Sequence, residues 1–248
     1  MANARQFMAA RTGAWAKSGG GRVGIPTVEV SDFGFLDCVT KSVISPPYTL
    51  CGFVKQGSNQ STSLSDQPLF FSCGGGNTGS AFGKSGQDSS WNKVFSALNQ
   101  PRYWCQFNGF TIESNFDWHF VTCVVSTSYS PFSMYVDGFK TSTKYSRYLG
   151  TVGTTQIGSH FGFFARTSNG VDVSENSQWR GSVARMSFYK HAFTDNEAVD
   201  AFSKRFDKPT LADSMWDFVI DGGVVVDSIG GMNLNVIGNV VQGQEIAI

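Results

Sequence analysis

Two runs decide the fold: Trp118-His119-Phe120-Val121-Thr122-Cys123-Val124-Val125, and Met134-Tyr135-Val136 followed by Asp137-Gly138. The first is nearly continuous in apolar character, which marks a strand buried on both faces or central in a sheet. In the second, Asp-Gly supplies the two positive-φ residues of a type I′ hairpin turn. Asn108-Gly109, after Tyr103-Trp104-Cys105-Gln106-Phe107, carries the same chemistry and predicts another hairpin. Beyond Gly138, Thr141, Thr143 and Tyr145 alternate with Ser142, Lys144 and Ser146, as in a strand with one face in water.

The same rhythm extends outward. Val28 and Val30, then Phe33 and Phe35, are apolar with turn-forming residues between them. Tyr48 to Val54 restarts after Pro46-Pro47, and Leu69-Phe70-Phe71 runs into Gly74-Gly75-Gly76. Residues 74–92 are rich in Gly, Ser, Asn and Asp and read as a long surface loop. One helix is predicted. Thr194-Asp195-Asn196-Glu197 is a capping box, in which the Thr hydroxyl accepts from the Glu197 amide and the carboxylate reaches back. Val199, Phe202 and Phe206, with Ala198 and Ala201, give its apolar stripe, and Lys208-Pro209 ends it. The pattern is all-β with one short helix near 195–206, in a single domain over 26–248.

Composition agrees. Apolar residues are 41% of 248 and charged residues 15%, enough to fill a large core, and 22 phenylalanines supply much of it. Formal net charge is zero, which argues against a domain-wide nucleic-acid surface and does little to keep copies of the chain apart, so self-association is expected. No stretch is long and apolar enough for membrane insertion. Cys38, Cys51, Cys73, Cys105 and Cys123 are odd in number, lack a CxxC pair and sit mostly in apolar runs. They read as buried free thiols of a chain made in a reducing cytoplasm, consistent with an N-terminus that lacks a signal-peptide core. Residues 1–25 stand apart. Arg5, Arg11, Lys17 and Arg22 are basic, no acid precedes Glu29, and Ser18-Gly19-Gly20-Gly21 is a flexible run. The segment reads as an arm that docks on a neighbouring subunit or acidic surface, or else as a disordered tail.

An ordered series resembles the laminin-G-like, concanavalin A-like lectin/glucanase superfamily. It runs through Trp118-His119-Phe120-Val121, Met134-Tyr135-Val136-Asp137-Gly138, Ile157-Gly158, Trp179-Arg180-Gly181-Ser182-Val183, Met186-Ser187-Phe188-Tyr189 and Ala192-Phe193-Thr194-Asp195-Asn196-Glu197. The resemblance implies a two-sheet antiparallel jelly-roll sandwich. It departs from the family in order. The aromatic-Asp-aromatic strand, glycine turn, Asp-Ser-x-Gly loop and Asn-Leu strand that usually open the domain stand at the end, as Trp216-Asp217-Phe218, Gly222-Gly223, Asp227-Ser228-Ile229-Gly230-Gly231 and Asn233-Leu234. Either the domain is circularly permuted or this segment completes a neighbouring subunit, and the intramolecular form is preferred. A second departure is Ala184-Arg185, where the family usually carries an acidic residue.

Catalytic signals are scarce. The glucanase pattern Glu-x-Asp-x-x-Glu is missing, Glu29 and Asp32 fall on opposite faces of a strand, Glu113 stands alone and Glu175 lies in a polar loop. His119 reads as structural, His191 as a backbone partner at the helix approach, and His160 as a turn residue to watch. Neither a Gly-x-Ser-x-Gly elbow nor paired-His zinc spacing occurs. Gly83-Lys84-Ser85 lacks the earlier glycine of a phosphate-binding loop, since Thr78 occupies that position. Loop chemistry remains. Asp88, Trp91 and Trp104, and Asp172, Glu175 and Trp179, are candidate ligand-binding residues, because sugars stack on aromatics and hydrogen-bond to carboxylates and amides. The alternative for Trp104 and Trp179 is core or rim packing. No cofactor is required, although such loops could hold Ca2+. The expectation is a non-enzymatic, lectin-like recognition module, glycan-binding and displayed on a larger assembly. The alternatives are a structural virion component (a capsid decoration or a tail or appendage protein) and an atypical glycoside hydrolase.

Overall fold

The computed structural model describes residues 24–39, 44, 46–58, 69–75, 78–84, 95–100, 103–108, 117–126, 132–148, 160–164 and 178–247. These form β1 (Thr27–Val39), β2 (Tyr48–Gln56), β3 (Leu69–Gly75), β4 (Thr78–Lys84), β5 (Phe95–Gln100), β6 (Tyr103–Asn108), β7 (His119–Val125), β8 (Phe132–Val136), β9 (Phe139–Lys140), β10 (Ser142–Tyr148), β11 (His160–Phe163), β12 (Gly181–Tyr189), α1 (Asp195–Ser203), β13 (Ser214–Asp221), β14 (Val224–Asp227) and β15 (Leu234–Gln242).

The pairing makes two layers joined by strands that belong to both. β1 pairs through Thr27–Val30 with β12, then through Leu36–Val39 with β11, after a register shift between Val30 and Gly34. β15 follows it along the other side. From β11 one layer continues β3, β4, β5, β6, β10, and from β12 the other continues β2, β7, β8, β9. Residues 139–148 close the far side, because β9 pairs with β8 while β10, one residue later, pairs with β6. The layers meet through aromatic rings. Phe82 lies 5.6 Å from Phe132, Phe161 lies 5.3 Å from Trp216, and Phe163 lies 5.3 Å from Phe218. Burying each such side chain contributes roughly 2–3 kcal/mol of transfer free energy.

β7 is buried at every residue. Val121, Cys123 and Val125 enter the inter-layer core, while Phe120 and Val124 face the clusters beneath α1. Asp137 (φ 51°) and Gly138 (φ 80°) make the turn between β8 and β9, pairing Val136 with Phe139. A Cβ at Gly138 would also lie 2.6 Å from the Phe202 ring. Asp137 then reaches across, accepting from the Phe120 amide at 2.9 Å and lying 2.8 Å from His119 Nδ1. The structural reading of His119 follows from that bond.

Several expectations are corrected. β6 is paired on both sides, by β5 and by β10, and Gly109 of the expected Asn108-Gly109 hairpin lies outside the described residues. The segment read as a loop from residue 74 instead contains the end of β3 and all of β4, which lies between β3 and β5. A glycine-rich strand inside a layer is held by its backbone ladder and shows no side-chain alternation. Val28 to Phe35 is one strand with an irregularity, not two strands and a turn, and Phe33 points outward at 36% exposure. The helix stops at Ser203, short of Lys208-Pro209, and Val199 is half exposed, while Ala198 is buried and Ala201, Phe202 and Phe206 pack on the sheet.

The helix start is as expected. Thr194 Oγ1 accepts from the Glu197 amide, and the Thr194 amide donates to Glu197 Oε2 at 2.7 Å. Asp195 fastens the helix to the sheet by accepting from the Tyr135 hydroxyl at 2.6 Å and Lys140 Nζ at 2.7 Å. Those bonds, Lys140 first, hold its carboxyl below the usual value. Thr194→Ala is expected to lower stability by about 1 kcal/mol, read by urea denaturation. An unchanged midpoint would show that the cap is dispensable.

The C-terminal strands pair within their own chain. β13 joins the second half of β12, β14 joins β13 and β15, and β15 joins β1. Ile25 and Ile246 exchange two backbone bonds of 2.9 Å, so the first and last described strands end side by side. Asp227 organises the turn between β14 and β15. Oδ1 accepts from the amides of Met215, Ile229 and Gly230, and Oδ2 from that of Met232, at 2.9–3.0 Å. Asn233 Oδ1 in turn accepts from the Asp227 amide. Arg185, at φ 36° in the β12 bulge, donates from Nε to Asp217 Oδ1 at 2.9 Å and from Nη1 to the Phe206 carbonyl. The base found where the resemblance leads one to expect an acid is thus half of an intramolecular ion pair.

Candidate functional site

A cleft opens where β1 leaves β12. Val30, Gly181 and Gln56 are the last row paired across β1, β12 and β2, and the β12 side of β1 is free until β11 begins to pair at Leu36. Gln178 plugs the interior of this fork. Its Nε2 donates to the carbonyls of Gly34 and Phe164 at 2.9 Å and of Trp179 at 3.0 Å, and its Oε1 accepts from the Gly34 amide at 3.2 Å. Outside the plug lies a cleft of about 500 Å3 lined by Glu29, Ser31, Lys55, Gln56, Ser58 and Ser182. Gly181 permits the close approach of β12 to β2, because a Cβ there would collide with the Lys55 carbonyl oxygen.

The chemistry of this cleft is polar and balanced. Glu29, Ser182 and Lys55 stand in register on one face of three adjacent strands. Carboxylate and ammonium bases are therefore roughly 10 Å apart, with a hydroxyl between them. Neither charge has an ion-pair partner among the described residues. Gln56, on the opposite face at the strand end, is 6% exposed, and its Oε1 is buried without a hydrogen-bond partner.

A second groove, of about 430 Å3, runs between α1 and the outer face of β12. Tyr189, His191 and Phe193 form its aromatic side, with Tyr189 and Phe193 centroids 4.6 Å apart. Burial pushes the Tyr189 hydroxyl up, with Cys51 reinforcing and a hydrogen bond to Ser187 opposing. Most of its charged groups are engaged: Arg185 and Lys208 with Asp217, Lys204 with Asp200 at 2.8 Å, His191 with Glu197 at 3.3 Å, and Arg205 over the Phe202 ring at 4.1 Å, whereas the exposed Asp207 carboxylate has no ion-pair partner among the described residues. The fork cleft instead sets a carboxylate and an ammonium, neither paired among the described residues, on either side of a hydroxyl.

The structure places the expected site residues unevenly. Trp179 is fully buried, edge-on to Phe70 at 5.6 Å, so it belongs to the core and offers no ring face at a rim. It stands two residues before β12, where its amide donates to the Phe164 carbonyl at 2.7 Å. Trp104 lies in β6, its backbone between Leu98 and Arg147. Asp88, Trp91, Asp172 and Glu175, the arm residues Arg5, Arg11, Lys17 and Arg22, and Glu113 lie outside the described residues. His160 opens β11, opposite Val39, and is not in a turn. Cys38, Cys51 and Cys123 are buried free thiols, and burial pushes Cys38 and Cys51 up to about 12. Among the described residues no three His, Cys, Asp or Glu side chains gather as a metal set. No helix among them is long and apolar enough to cross a membrane. Sequence reasoning missed Lys55, Gln56 and Ser182. The one available signal was a glutamine closing an apolar strand before Gly57-Ser58, where water-facing residues are expected.

No known protein-family model matches the chain, and no curated protein matches it in sequence. Among solved structures it is similar to the native heptameric SAP-like pentraxin of Limulus polyphemus, with a TM-score of 0.58 and 13% identity over 89% of this chain and 95% of that one. It is also similar to a protein of Bacteroides ovatus described provisionally as carbohydrate binding, with a TM-score of 0.60 and 13% identity over 91% of this chain. The match spans 62% of that protein, less than two thirds of its length. At such identities the likeness speaks for architecture. The chain has the all-β, two-layer antiparallel jelly-roll fold.

Proposed function

We propose that this chain is a non-enzymatic recognition module that binds glycans in the fork cleft and is displayed on a larger assembly. The observation that carries the reading is a set of polar groups there with no partner among the described residues: Glu29 and Lys55 on either side of Ser182, and the buried Gln56 oxygen at the strand end. Ligand sites concentrate a small number of convergent polar groups in a concavity of this size. The jelly-roll architecture supports it, being shared with a protein described provisionally as carbohydrate binding. A retaining glycosidase needs two carboxyl groups about 5 Å apart. Of the described residues lining the cleft, Glu29 alone carries a carboxylate. Zero net charge and the exposed Val219, Val226 and Val241 support self-association.

The test is titration calorimetry of the full chain against a broad glycan panel. Binding is expected at micromolar to millimolar strength. Gln56→Leu and Lys55→Ala should each weaken it about tenfold, equivalent to about 1.4 kcal/mol. A panel with no binder removes the reading. So does a binder indifferent to both substitutions. Display on an assembly is tested separately by deleting residues 1–25 and measuring incorporation.

A further inference from the structure

The inference rests on the glycan reading of the fork cleft and gives it a ligand class. Three features of the lining restrict what fits. First, one acid and one base flank Ser182 in a single register row, both free of ion-pair partners among the described residues. An anion drawn to Lys55 meets the Glu29 carboxylate, a cation drawn to Glu29 meets the Lys55 ammonium, and the row as a whole favours neither sign. Second, the buried polar group beside the row, on the opposite face at the strand end, is an amide. Gln56 is uncharged and offers both a donor and an acceptor, and its oxygen is buried and unpartnered. An amide of this kind complements a hydroxyl or another amide, whereas a carboxylate or sulfate gains from only half of it. Third, the described lining contains no aromatic ring. Its side chains are Glu29, Val30, Ser31, Lys55, Gln56, Ser58 and Ser182. What the described lining offers a saccharide is hydrogen bonds to a hydroxyl edge.

We infer that the fork cleft takes an uncharged saccharide, held by its hydroxyl edge, and discriminates against saccharides bearing carboxylate or sulfate groups. The opposed charges of Glu29 and Lys55 grip successive hydroxyls as acceptor and donor across Ser182, and the uncharged Gln56 amide at the strand end adds no net charge to the cleft. Because no net charge is exchanged, binding is nearly independent of ionic strength.

The experiment compares three sets of oligosaccharides on the full chain by calorimetry at low and high salt: neutral, the same cores capped with a carboxylate-bearing sugar at the binding end, and the same cores sulfated. Neutral members are expected to bind at least tenfold more tightly than either acidic set, with less than a twofold change across the salt range. Glu29→Gln should narrow the gap several-fold by admitting the acidic sets. That residue is exposed, so the variant remains informative if Gln56→Leu fails to fold. A deoxygenated neutral analogue should lose binding. If acidic sets bind as well as neutral ones, with binding lost in Lys55→Ala, the neutral-ligand inference is overturned while the glycan reading stands. If neutral members bind but Glu29→Gln leaves the gap unchanged, the row does not select and the inference also falls. If no set binds, the glycan reading itself fails and takes the inference with it.

Discussion

Asp227→Ala is expected to remove about 3–4 kcal/mol of folding stability at neutral pH. The carboxylate is 5% exposed and serves four backbone amides, from Met215 in β13 and from Ile229, Gly230 and Met232 in the turn before β15. Its removal strands several donors at once, and each buried unsatisfied group costs about 1–3 kcal/mol, reduced where water can enter. Asp227→Asn keeps the shape but turns an N–H toward N–H groups, and should cost about 2 kcal/mol. Burial alone would raise the Asp227 pKa, but the four amides outweigh it and hold the group below the usual carboxylate value. A carboxylate depressed in the folded state contributes stability that is full above its unfolded value, near 3.9, and fades as pH falls through the folded value. The gap between wild type and Asp227→Ala should therefore be constant from pH 6 to 8 and shrink below about pH 4. Urea titrations across that range decide it, and a gap that widened in acid would contradict the assignment.

Gln178→Leu is expected to cost about 3 kcal/mol. This side chain is 3% exposed and ties β1 at Gly34 to the end of β11 at Phe164, with four short contacts to backbone groups. Leucine has similar volume, so packing is nearly conserved while the Gly34 amide and carbonyl lose their side-chain partner inside the fork and the Phe164 carbonyl keeps only the Trp179 amide. Stability should fall without loss of compactness, and hydrogen exchange at the Gly34 amide should quicken. Should the melting temperature stay within a degree or two of wild type, the fork would be held by its strands alone. If the proposed glycan reading holds, loosening the fork beside the cleft should lower affinity as well.

Much of the fold lies open in the residues. The apolar run 118–125, the Asp137-Gly138 turn and the Thr194–Glu197 box are local signals, and local physics decides them in the structure as well. The displaced Trp216 to Leu234 pattern pointed to strands that could close on the same chain, and they do. What stayed hidden depends on partners. β4 is a strand because β3 and β5 flank it, not because Thr78–Lys84 favours one. Val199 belongs to an apolar stripe by spacing, yet the sheet lies on the Ala198 side of the helix. The fork cleft draws on residues near 29, 56 and 182, and register across three strands cannot be read from any one of them. Trp179 shows the converse, a side chain whose chemistry suits a sugar but whose position commits it to the interior.

The neighbouring ends of β1 and β15 have a mechanical consequence. The two strands run antiparallel and meet at Ile25 and Ile246, where the chain enters and leaves. A load applied through those ends would peel the pair open rung by rung, each rung yielding in turn, instead of shearing the whole ladder together. Tethered at both ends, the body would resist tugging poorly. Anchored through one end only, it would swing as a rigid bead from a single point and transmit almost no strain to its cleft.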